Sequence, residues 1–155
     1  MAIGTNDTIQ KWGTQDQIDD GSTATVASGA FSEASSSWTN DDDAPFAQFV
    51  LECQFDTTMP TVGSIDLYAR PLNVQSTNDP GAPDTSNYNF FIGTFPIDFG
   101  VSNDVNFFTV IPKAELPGFQ TSQQYEFYLF NNGTSQTVGI DWNLWVTPFT
   151  YGPSA

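Results

Sequence analysis

Hydrophobic and polar positions alternate with a period of two over much of the chain, most plainly across residues 125–148. Tyr125, Phe127 and Leu129 share one face of an extended run, and Glu126, Tyr128 and Phe130 share the other. A polar Asn131-Asn132-Gly133-Thr134-Ser135 turn follows. Beyond it Val138, Ile140, Trp142, Leu144 and Val146 alternate with Gly139, Asp141, Asn143, Trp145 and Thr147. Two such runs about a Gly-containing turn predict a β-hairpin. The same period marks residues 46–55, where Phe49, Leu51, Cys53 and Phe55 fall on one face and Gln48, Glu52 and Gln54 on the other. It marks 62–70 too, with Ile65, Leu67 and Ala69 inward and Ser64, Asp66, Tyr68 and Arg70 outward. Pro71 is expected to end that strand or to set it at a sheet edge.

Residues 88–98 and 104–112 supply two further strands, loaded on both faces with Phe90, Phe91, Phe95, Phe107 and Phe108. Gly93 marks a bulge or a close packing point. A short helical turn fits 113–116, and the tail from Phe149 is expected to run out exposed. Residues 22–44 are rich in Ser, Thr, Ala and Asp, with strands expected near 23–27 and 30–38. Residues 73–87 form the longest run of turn formers and read as a surface loop. Residues 1–21 read as an arm. They are polar apart from Ile3, Ile9, Trp12 and Ile18, and Lys11 stands beside Trp12. Such an arm is a loose terminus, a strap over its own sheet edge, or an anchor that orders on a partner. Seven to nine strands and no helix of ordinary length predict an all-β fold. The expectation is an antiparallel β-sandwich of jelly-roll type spanning 22–155, with an extended N-terminal arm at 1–21.

Length changes little in this picture: 155 residues suit one domain with a real core. Charge changes more. Eighteen Asp and Glu against three Lys and Arg give a formal net charge of −15, which repels phosphate backbones and anionic lipid, so neither nucleic acid nor a membrane surface is an expected partner. No stretch is apolar for long enough to span a bilayer. The first residues lack the basic and apolar regions of a secretory signal, so synthesis and retention in a cytoplasm are expected. A single cysteine, Cys53, within an apolar face reads as a small buried hydrophobe.

The candidate chemistry is sparse. The chain has no His, which removes the commonest general base and the commonest metal ligand. The Asp41-Asp42-Asp43 run and the pair Asp79 and Asp84 offer oxygens to a cation, yet a solvated turn and an exposed loop explain them better, and no cofactor is expected. A glycoside hydrolase would need two carboxylates at a set separation. Glu52 and Glu126 could provide them only if their strands were neighbours. A carbohydrate-binding module would stack sugars on exposed aromatic rings, with Tyr68, Tyr128 and Trp145 as the platform. The third option is contact between protein surfaces through the second faces of the strands, carried by Tyr68, Tyr128, Phe130 and Trp145; ordinary burial favours instead a second sheet, a loop or the chain's own arm lying over these rings.

The closing stretch, from the aromatic run through the Asn-Asn-Gly-Thr turn to Trp142-Asn143-Leu144-Trp145, together with the polar arm, resembles the head decoration (cement) proteins of tailed bacteriophages. The C-terminal part of this pattern covers under a fifth of the chain. The resemblance implies a non-enzymatic virion protein with a β-sandwich or jelly-roll core, made in the host cytoplasm. Such a protein sits on the outer surface of the head as a homotrimer and ties neighbouring copies of the major capsid protein together. Ile3, Ile9, Lys11, Trp12 and Ile18 of the arm would then touch the shell, and the aromatic second faces would meet sister subunits. A trimer with three weak footprints would gain its affinity by avidity.

Overall fold

A computed structural model describes residues 8–19, 24–72, 79–87, 90–97, 99, 106–118 and 121–153. Among these the chain is all β. The strands are β1 (Thr8–Trp12), β2 (Asp16–Asp19), β3 (Trp38–Thr39), β4 (Phe46–Cys53), β5 (Ser64–Leu72), β6 (Phe91–Phe95), β7 (Phe107–Glu115), β8 (Gln124–Asn132) and β9 (Asn143–Pro153). They form two antiparallel sheets. In the first, the order is β1-β9-β4-β7, with β2 also on β9; in the second it is β3-β8-β5-β6. The two stack as a sandwich. The inward set named for 46–55 is buried throughout, at Phe49, Leu51, Cys53 and Phe55. It meets Ile65, Leu67 and Phe127 from the other sheet, and the Phe49 and Phe127 rings sit 5.1 Å apart, edge to face.

The predicted hairpin is not one. β8 and β9 belong to different sheets, and residues 133–142 cross between them. Side chains make the crossing. Asn131 donates from Nδ2 to the carbonyls of Val26 and Gln136, and its Oδ1 accepts from the Thr134 hydroxyl at 2.5 Å. Turned outward, the chain trades ladder bonds at Val138 with Val26 and gives the Gly139 N–H to the Gln54 carbonyl. Consequently Ile140 is exposed, while Trp142 stays buried. Gly63 passes beneath this turn with φ +89°, and a Cβ there would lie 2.6 Å from the Thr134 nitrogen.

Three other expectations shift. The helical turn at 113–116 is strand: β7 runs to Glu115, and a register shift opposite Ala47–Phe49 takes up Pro112. The tail is not loose, because Phe149–Pro153 pair with β1 and Phe149 is buried. Pro71 does not end β5. It sits in register with Tyr125 of β8, beyond the last pair that β6 makes with β5, at Tyr68.

Residues 8–19 lie along the edge of β9. Thr8–Trp12 pair with Phe149–Pro153, and Asp16–Asp19 with Leu144–Val146. Residues 24–37 cover the edge of β8 without becoming a regular strand. Ser32 and Ser35 each take a β8 carbonyl with the backbone N–H, and each receives the N–H of the same β8 residue, Leu129 or Phe127, on its hydroxyl. A serine oxygen thus stands in for a strand carbonyl. That is why this Ser-rich segment closes an edge rather than extending the sheet.

Candidate functional site

The two outer faces of the sandwich differ. On the β3-β8-β5-β6 sheet, Tyr68 and Tyr128 are 6% exposed and Phe130 7%. Phe31, from the segment on the β8 edge, lies against them, with its ring 4.6 Å from Phe130 and 5.3 Å from Tyr68. The chain's own segment therefore covers three of the four residues expected to meet a subunit or ligand. Beside them Arg70 donates to Glu126 at 3.1 Å and to the Pro80 carbonyl at 2.7 Å, and the Tyr128 hydroxyl donates to Glu126. Burial and then the Glu126 contact push the Tyr128 phenol up. For Arg70, burial alone would lower the guanidinium, but the Tyr128 and Glu126 contacts outweigh it and raise it. The buried Asp66 carboxylate is satisfied by Ser64, Thr94 and Asn132.

On the β1-β9-β4-β7 sheet no segment of the described chain lies over the outer face as Phe31 does, although Phe149 is buried there beneath Trp12, Phe46 and Tyr151. Register places Trp12, Phe149 and Phe46 in one row, Trp145, Val50 and Val110 in another, and Phe108 beside Glu52. Phe108 is 65% exposed, Trp12 49% and Tyr151 46%. The Phe108 and Trp145 rings come from strands on either side of β4, yet their centroids are 6.5 Å apart, so they lean together across it. At the other end Trp12 lies 4.8 Å from Phe149, and Lys113 places its ammonium 4.1 Å above the Phe46 ring. A polar row flanks the first pair: Gln17 donates to Asn143, and Asn143 and Asn106 both donate to Glu52.

The arm residues part ways. Ile18 is buried in the core and so is not offered to a shell, because β2 folds it under its own sheet. Asp16 of the same strand accepts from the Trp38 indole. Ile9 is half-buried, while Lys11 and Trp12 are exposed. Ile3 lies outside the described residues. The glycosidase pair is not formed: Glu52, on β4, and Glu126, on β8, sit on outer faces of different sheets with the whole sandwich between them. Asp41–Asp43 form an exposed turn in which Asp43 accepts the Ser122 N–H, and Asp84 is engaged by Ser86. Those Ser86 bonds draw the Asp84 carboxyl down. No group of three Asp, Glu, Cys or His residues suited to a metal occurs among the described residues. Burial, reinforced by Glu52, pushes the Cys53 thiol up, away from the reactive thiolate.

Phe46, Val110 and Tyr151 were not singled out by sequence, although alternation in their strands carries the signal. No family model, curated protein or solved structure matches this chain.

Proposed function

We propose that this is a non-enzymatic structural protein of a virion, one that decorates the outer surface of a tailed-phage head as a homotrimer bound to the major capsid protein. The observation that carries the reading is the asymmetry of the outer faces. The chain covers Tyr68, Tyr128 and Phe130 of one sheet with Phe31, leaving Phe91 exposed at its β6 edge, and leaves Trp12, Phe108 and Tyr151 of the other exposed. A contiguous bare aromatic face on an acidic chain suits contact with protein. The strand order β1-β9-β4-β7 facing β3-β8-β5-β6 supports a jelly roll, since nearly every connection from β3 onward changes sheet. Antibodies against the purified chain are expected to label the heads of intact particles in electron micrographs. Label on tails only, or on no particle, would overturn the proposal.

A second reading has its own observation. The Gln17–Asn143–Glu52–Asn106 row beside Phe108 and Trp145 offers fixed hydrogen-bonding groups next to aromatic rings, as a carbohydrate-binding surface does. A glycan-array signal that Trp145→Ala abolishes would put this reading first.

A further inference from the structure

We infer that the bare outer face of the β1-β9-β4-β7 sheet is where copies of this chain meet. The Phe108–Trp145 end of one face lies on the Trp12–Tyr151 end of the next. This rests on the assembly reading above and names the partner of its bare face.

The occupant is argued from charge. The chain carries a net −15, yet the outward positions of this sheet hold two carboxylates, Glu52 and Glu115, and one ammonium, Lys113, for a net of −1. The acids crowd elsewhere, as in the exposed turn at Asp41–Asp43. Two copies approaching by this face bring together nearly neutral, mainly apolar surfaces and leave acidic rims in solvent. A strongly basic partner would be drawn to those rims instead. The face is also complementary to itself end for end. Glu52 stands beside Phe108, and Lys113 stands over Phe46 six positions further along β4, about 20 Å away at the rise of a strand. Laying one end on the other sets the Lys113 ammonium of one copy near the Glu52 carboxylate of its neighbour. A closed ring or a two-fold pair both provide that contact.

The test uses the full chain, with molar mass from light scattering at micromolar concentration. The wild type is expected to be an oligomer. Phe108→Glu, which places a carboxylate in the contact, is expected to weaken self-association by roughly thirtyfold and yield a monomer with an unchanged circular-dichroism spectrum. Phe91→Glu is the control: Phe91 is 54% exposed on the outer face of the other sheet, and its variant is expected to stay oligomeric. A monomeric wild type, an oligomer that survives Phe108→Glu, or loss of the oligomer in both variants would overturn the inference. Cosedimentation with phage heads separates the two proposals. A monomer that still binds heads defeats this inference and the trimer, and leaves head decoration standing. An oligomer that is sensitive to Phe108→Glu yet binds no head defeats the virion reading alone.

Discussion

Cys53 and Tyr125 show how burial sets chemistry one side chain at a time. Both are fully enclosed. The Cys53 thiol, raised by burial, is expected to resist iodoacetamide in the native state and to react only at the rate of unfolding, which a mass-spectrometric time course reads directly. Tyr125 donates its hydroxyl to the Pro117 carbonyl at 2.6 Å, and burial pushes its phenol up to about 12. The sign follows from linkage. Below pH 10 the phenol is neutral whether the chain is folded or not, and its contribution is complete. Between about 10 and 12 the unfolded chain releases the proton while the folded one holds it, so stability falls by about 1.4 kcal/mol per pH unit. Denaturant titrations across that window should show the slope, and Tyr125→Phe should make it shallower. Cys53 contributes a slope of the same sign from its own lower ordinary value, which Tyr125→Phe leaves in place.

Elements are held by side chains that mimic backbone, and here sequence reading met its limit. Period-two alternation found the cores of β4, β5 and β8, because a strand buried on one face must alternate. It could not tell that β8 and β9 part into different sheets. That outcome depends on Asn131, whose amide finds Val26 more than a hundred residues away in the chain, and a local Asn-Gly turn signal carries no such information. Asn131→Ala should therefore cost roughly 2–4 kcal/mol, seen as a lower denaturation midpoint. The bare outer face was legible in part. Trp145 was picked out, but its ring partner Phe108 became visible only once β4 was known to lie between β7 and β9. That Tyr68, Tyr128 and Phe130 would be covered by the chain itself was expected on burial grounds, but nothing local showed that Phe31 would do it. The arm changes its prediction as well. A loose terminus or a partner-ordered anchor at 1–21 would be deletable with the fold intact. The pairing of residues 8–12 and 16–19 on β9, with Ile18 in the core and Asp16 on Trp38, predicts that deletion of residues 1–19 lowers the melting temperature and exposes a long strand edge prone to aggregation. An unchanged melting curve for the truncated chain would show the strap to be dispensable.

At the scale of the molecule, two electrostatic effects oppose each other in any assembly of this chain. Each copy brings a net −15, a repulsion acting over distances comparable with the Debye length, about 10 Å at 0.1 M salt and 30 Å at 0.01 M. Against it stand apolar contact, which salt does not weaken, and the end-to-end approach of Lys113 and Glu52. An exposed ion pair of that kind is worth about 0–1 kcal/mol. The long-range term should therefore win. Raising salt from about 0.01 M to 0.5 M is expected to strengthen self-association, because screening removes more repulsion between rims than attraction within the contact. Sedimentation velocity at fixed protein concentration measures this as a shift toward the larger species. Dissociation on adding salt would mean that ion pairs hold the copies together, which the nearly uncharged outer face of the β1-β9-β4-β7 sheet could not supply.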